Sequence, residues 1–168
     1  MTVKTDIRPK ILVLGIGNLI MSDDGVGVKV VQRLQREYCF TESVEILDGG
    51  TLGLDLLPKL EGIDCLIVVD AVETGEIPGT CVRLTGQELP IALETKVSPH
   101  QMGLKDLLSV AELLGHAPRE MVLIGVQPSS IEMDTELTPE IEVKVEVLLD
   151  NILKELIRLG FNPLPLDP

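Results

Sequence analysis

The run Ile11-Leu12-Val13-Leu14 carries no polar residue, so it cannot turn one face to water as an alternating strand does. A strand of this kind must be buried on both faces, which requires helices above and below its sheet. Cys65–Val69 and Met121–Val126 have the same character, and Val44–Leu47 is a shorter relative. Between these runs the period changes to that of a helix. Val26, Val30, Val31 and Leu34 place a helix from about Gly25 to Tyr38. Leu52, Leu56, Leu57 and Leu60 give a short second one. Leu104, Leu107, Leu108 and Ala111 give a third over Met102–Leu114. Thr138 is positioned to cap a long final helix with Pro139 in its first turn and Ile141, Val145, Leu148, Leu149, Ile152 and Leu156 on one face.

A further strand, Thr80–Leu84, follows Asp70 after nine residues that include Gly75, Pro78 and Gly79. A parallel crossover needs a dozen residues or more, so this strand is expected to run antiparallel to the rest. Residues 85–99 read as a loop. The expected fold is therefore an α/β, three-layer αβα domain. It has a mostly parallel, twisted five-stranded sheet with one antiparallel strand and helices on both faces. One domain covers 1–168, with irregular tails at 1–9 and 161–168.

Charge and aromatic content narrow the function. Fourteen basic against 27 acidic residues give a net charge of −13, which repels phosphate backbones and anionic membranes. Aromatics are 2% of the chain, namely Tyr38, Phe40 and Phe161, so stacking platforms for single-stranded nucleic acid are missing as well. Cys39, Cys65 and Cys81 are odd in number and form no C-x-x-C pair. They read as small buried apolar residues in a reducing, cytoplasmic setting. Lys4, Arg8 and Lys10 before an apolar run imitate a secretory signal. Gly15, Gly17, Asn18 and the absence of a small-residue cleavage site argue for a buried strand and loop instead.

The loop after the first strand reads GIGNLIMSDDGVG, residues 15–27. Strand, Gly-x-Gly and helix together suggest a dinucleotide turn, and Asp48 stands where a ribose-binding acid would. The third glycine is replaced by Ile20, however, and Asp23 and Asp24 occupy the helix end where a pyrophosphate would bind. One aspartate suffices as a helix cap. The second leaves capping and a functional carboxylate equally open.

In open α/β sheets ligands bind beyond the carboxyl ends of the strands, where strand order reverses. With strands ordered two-one-three, Asp23 and Asp24 after the first, Asp48 closing the second and Asp70 closing the third would flank one crevice. Singly, each is readily a turn former. Of the two histidines, His116 follows a helix and reads as a cap. His100, in Ser98-Pro99-His100-Gln101, opens a helix and would join Asp24 and Asp70 if that helix starts at the same edge. Two carboxylates and an imidazole suit a divalent transition metal such as nickel or zinc. H-E-x-x-H, G-x-S-x-G and Cys–His pairs are missing.

Four stretches, ILVLGIGNLIMSDDGVGVKVV, EILDGGTLGLDLL, LIVVDAV and KVSPHQMGLKDLL, together resemble the endopeptidases that mature nickel–iron hydrogenases. GVQPSSIE and the later LTP are similar to that family too. The resemblance implies removal of a C-terminal extension from the hydrogenase large-subunit precursor after nickel insertion. It implies that Asp24, Asp70 and His100 serve both as metal ligands and in catalysis, and that Asp48, Gly49 and Gly50 contact substrate. The nickel would be supplied by the precursor, with zinc or cadmium as substitutes in vitro. The family's first acid is often glutamate, and here it is the shorter aspartate. The expected protein is a cytoplasmic monomer that acts on the precursor and binds neither nucleic acid nor membrane. A nickel-binding assembly chaperone using the same residues is the alternative, and a nucleotide-binding Rossmann enzyme a more distant one.

Overall fold

The computed structural model describes residues 8–94 and 99–167, with the side chains at 91, 93, 94 and 99–102 outside the described set. Its sheet is built from β1 (Ile11–Ile16), β3 (Val44–Gly50), β4 (Cys65–Ala71), β5 (Cys81–Thr85) and β6 (Glu120–Val126). The strand order is β3-β1-β4-β6-β5. β1 pairs in parallel with β3 and β4, and β4 with β6. β5 runs antiparallel along β6 at the edge, as its short connection demands.

Both faces of the central strands are buried, and their alternating side chains divide between two cores. Ile11, Val13, Ile67, Val69, Val122 and Ile124 point toward α1 (Val26–Glu37), α5 (Pro139–Glu142) and α6 (Val145–Arg158). Leu12, Leu14, Leu66, Val68 and Leu123 meet α2 (Leu57–Leu60), α3 (Glu88–Glu94) and α4 (Pro99–Leu113) on the other side. Each such side chain contributes about 1.5–3 kcal/mol by leaving water. This double burial is what an uninterrupted apolar strand requires, so the three layers follow directly from it.

Several local expectations need correction. The long last helix is divided into α5 and α6, because Lys144 N–H bonds Ile141 O three residues back and tightens the turn. Residues 88–94, expected as loop, form α3. In the tail, β7 (Leu164–Pro165) pairs antiparallel with β2 (Tyr38–Cys39). The irregular segment expected at the other end lies outside the described residues up to position 7. Of the cysteines, Cys65 fits the buried reading, and burial pushes its thiol up to about 12. Cys81 is half-buried and Cys39 is exposed, so a core role fails for the latter.

A charged clamp holds α6 to the sheet edge. Glu155, buried on α6, accepts from Arg83 Nε of β5 and, at 2.8 Å, from Arg158 Nε, while Arg158 also pairs with Glu120 at the start of β6. Burial pushes the Glu155 carboxyl up, but the two arginine hydrogen bonds outweigh it and hold it below the usual carboxylate range. No helix among the described residues is long and apolar enough to cross a membrane.

Candidate active site

The first loop owes its glycines to backbone packing. A Cβ on Gly15 would stand 2.4 Å from Gly27 O, and one on Gly27 would stand 2.1 Å from Val69 O and 2.5 Å from Ile16 O. The first turn of α1 therefore rests directly on β1 and β4. Gly17 has φ +141°, and its Cβ would meet Asp24 O at 1.9 Å. The likeness to a dinucleotide turn comes from the need for close helix–strand approach, which any strand–turn–helix unit shares.

The tandem aspartates have separate roles, and neither caps α1. Gly25 is the residue before α1, and no side-chain cap hydrogen bond forms there or at the preceding 3-10 turn, Ser22–Gly25. Asp23 is fully buried and saturated with donors from one distant loop. Its Oδ2 accepts the N–H groups of Ser129 and Ser130, each at 2.9 Å, and its Oδ1 accepts that of Thr138 at 2.8 Å. Thr138 Oγ1 donates to the same carboxylate at 2.9 Å from Oδ2. Thr138 thus makes no side-chain cap to α5. The expected cap is corrected to a cross-link between the first loop and the 127–138 loop.

Asp24 also lies inside, 5% exposed, with Asn18 N–H donating to its Oδ2 at 3.2 Å. Asp70, fully buried, is the penultimate residue of β4, opposite Gly125 of β6. The register sets Gly15 beside both Asp48 of β3 and Val69 of β4, so Asp48, the first loop and Asp70 share the carboxyl edge of three adjacent strands. The order two-one-three expected for these strands is the one found.

Asp48 is engaged by its own turn. Gly50 N–H donates to its Oδ1 and Gln32 Nε2 of α1 to its Oδ2, each at 3.0 Å. A Cβ on Gly50, at φ +47°, would meet only Asp48 Oδ1, at an ordinary 3.8 Å, whereas one on Gly49 would meet Leu14 at 2.6 Å. Gly17 N–H bonds Gly50 O at 3.0 Å and ties this turn to the first loop.

His100 stands second in α4, and its side chain lies outside the described residues. The backbone position is informative. A Cβ on Gly103, one turn further along α4, would come 3.1 Å from the Cα of Gly53, just after β3. The start of α4 is thereby fixed at the same carboxyl edge. Among the described residues, no three His, Cys, Asp or Glu side chains form a group able to hold a metal ion. His116 follows α4, its backbone N–H bonded to Ala111 O at 2.8 Å, apart from that edge.

Two features escaped sequence reasoning. Ser22 adopts φ +49° without being glycine, pinned by its N–H to Asp134 O at 2.8 Å and its hydroxyl to Glu136 O at 3.0 Å. Such strain beside candidate site residues persists only when its surroundings hold it. Gln127, buried at the end of β6, accepts Thr74 N–H at 2.7 Å and donates to Glu73 Oε1 at 3.0 Å, fixing the loop after β4. The sequence signals were the stretches that hold them, ILVLGIGNLIMSDDGVGVKVV for Ser22 and GVQPSSIE for Gln127, and neither points to these roles.

The chain matches the hydrogenase maturation protease family (HycI) over residues 28–155. It is 40% identical over 157 residues to the hydrogenase 2 maturation protease of Escherichia coli K12, covering 93% of this chain and 96% of that one. It is 41% identical to the hydrogenase expression/formation protein HupD of Thiocapsa roseopersicina, covering 90% and 70%. The structure superposes on the hydrogenase maturating endopeptidase HybD from E. coli with a TM-score of 0.89, at 40% identity over 93% of this chain and 97% of that one. For the HybD maturation protease of Thermococcus kodakarensis the TM-score is 0.70, at 28% identity over 87% and 98%.

Proposed function

The chain belongs to the hydrogenase maturation protease family, and from that premise we propose that it removes the C-terminal extension of a nickel–iron hydrogenase large-subunit precursor, reading the inserted nickel through Asp24, Asp70 and His100. The observation that carries this reading is one of placement. Two buried carboxylates stand at the carboxyl ends of adjacent strands, one just after β1 and one in the last residues of β4, and the helix bearing His100 starts at that edge. Burying two carboxylates is costly unless positive charge or hydrogen bonds offset it. A divalent ion brought in by the precursor would supply that charge. Two oxygens and an imidazole nitrogen suit nickel, with zinc or cadmium as substitutes.

The nickel in this reading is part of the substrate. A precursor without it would lack the contact that seats its scissile bond, so cleavage becomes a check on metal insertion. Hydrolysis needs a water to lose a proton as it attacks the peptide carbonyl. In this reading Asp24 or Asp70 takes that proton, and a bound metal ion would polarise the water or the carbonyl. Asp48, Gly49 and Gly50 are assigned to the substrate chain, with Asp48 holding the turn and Gly50 leaving room for an approaching backbone. The unpaired cysteines fit a reducing compartment, which supports a cytoplasmic enzyme, and we take it to act as a monomer.

The test mixes the protein with its large-subunit precursor, with and without nickel, and follows intact mass. Loss of a C-terminal peptide from the nickel-loaded precursor alone is the expected result. Asp24→Asn and His100→Ala should each slow it at least about a hundredfold, the scale of a lost acid–base or metal contact. Cleavage regardless of nickel would refute the metal check. A nickel-dependent complex with unchanged mass would make the protein an assembly chaperone instead.

A further inference from the structure

Large apolar side chains stand exposed around the carboxyl edge of the sheet. Leu19 and Ile20 lie in the first loop, Leu52 and Leu54 in the loop after β3, and Ile131 and Met133 in the loop after β6. Ile20 is 54% and Met133 81% exposed, which no contribution to the core explains. They form one surface because their loops are joined. Asp134 N–H bonds Ile20 O at 3.1 Å, placing Ile20 and Met133 side by side, and the Gly17–Gly50 bond links the loop of Leu52 to that of Leu19. Asp23 clamps the 127–138 loop to the same turn.

The side chains these loops themselves carry are charged with one sign. The loop segments 17–24, 51–56, 72–80 and 127–138 contain no lysine or arginine. Exposed on them are Asp55, Glu73, Glu76, Glu132, Asp134 and Glu136. Among the described residues two lysines approach these segments from neighbouring elements: Lys29 Nζ is already engaged, donating to Thr135 O at 2.8 Å, and the Lys144 stem lies against Gly79, at the side of the 72–80 segment. An apolar strip bordered by acids selects a partner with the complementary pattern, apolar side chains flanked by basic ones. A free metal ion or a small anion would make no use of the apolar residues.

We propose that the loops carrying Leu19, Ile20, Leu52, Leu54, Ile131 and Met133 form a docking strip for a polypeptide segment of the precursor, one that bears apolar side chains with flanking lysine or arginine. This rests on the precursor being the substrate. The strip binds the chain beside the cut, while the carboxylates inside the crevice handle the bond itself. Affinity and chemistry then reside in different residues, so they can be separated by mutation.

The experiment compares wild type, the double variant Ile20→Ser/Met133→Ser, and Leu113→Ser, which removes an exposed leucine at the far end of α4. Circular dichroism and Tm verify folding, and precursor cleavage gives KM and kcat. The double variant should raise KM at least tenfold with kcat unchanged, and added salt should raise wild-type KM. Leu113→Ser should match wild type. Equal KM values in the double variant and wild type, or a fall confined to kcat, would overturn the strip. If wild type fails to cleave at all, the protease reading fails, and direct binding of the immobilised precursor decides the strip separately. Binding by wild type that the double variant loses supports it, and equal or absent binding overturns it. A wild-type dimer in sedimentation that the double variant abolishes would assign the surface to a second copy and also overturn the proposal.

Discussion

Asp23→Ala should be among the most damaging single substitutions in this chain, although nothing in its local sequence separates Asp23 from its neighbour. The carboxylate is fully buried and accepts three backbone N–H groups and one hydroxyl, all from Ser129, Ser130 and Thr138. Truncation leaves four donors without an acceptor. Each orphaned buried donor costs about 1–3 kcal/mol, with partial relief where water enters from the exposed side of Ser129, so the sum is about 3–5 kcal/mol. Asp23→Asn keeps one acceptor oxygen and turns an NH2 toward the remaining donors, for a loss of about 2–3 kcal/mol. Asp24→Asn still accepts from Asn18 and should stay within about 1 kcal/mol of wild type. Urea unfolding followed by circular dichroism measures all three. An unfolding free energy for Asp23→Ala within about 1 kcal/mol of wild type would refute the hub, as would Asp24→Asn proving the more destabilising of the two.

Two further substitutions probe the frame around the site. Gly27→Ala puts a Cβ 2.1 Å from Val69 O, so α1 must lift from β1 and β4; a loss of about 3 kcal/mol or more is expected in the same unfolding assay, with precursor cleavage falling too because Asp24 moves with the helix start. Glu155→Gln should cost about 1 kcal/mol at pH 7, a modest figure because both arginines are half exposed. Since the folded Glu155 carboxyl is held below its ordinary value, its contribution is present above the unfolded carboxylate range and is lost as pH falls through the folded value. The gap between Glu155→Gln and wild type should therefore close in acid, and a gap that widens there would contradict the clamp.

Some misjudged elements share a physical cause. α3 spans only seven residues, about two turns, too short for an apolar period to stand out, and its Pro90 falls within the first turn where proline is tolerated. Thr138 has the sequence context of a cap, yet its hydroxyl is taken by a carboxylate 115 residues away. Propensity describes what a residue does when only its neighbours compete for it, and here a long-range partner won. The same limit governed the aspartates. Asp23 and Asp24 differ by one position, so either could cap or either could face the crevice, and neither caps.

What the sequence alone determined was the layering. Uninterrupted apolar strands have to be covered on both faces, and a nine-residue connection is too short to cross over, so three layers and one antiparallel strand were fixed before any coordinate. The acids at Asp24, Asp48 and Asp70 were legible as strand-end residues for the same reason, because the ends of those runs are visible in the chain. The tertiary structure decided which carboxylate does what. Donors from residues 129–138 turn Asp23 into a buried cross-link, Asp48 is absorbed by its own turn and Gln32, and the contact of Gly53 with Gly103 brings the start of α4 to the edge where Asp24 and Asp70 lie. Burial and partner choice depend on segments far apart in sequence, and those meet only once the sheet has closed its order.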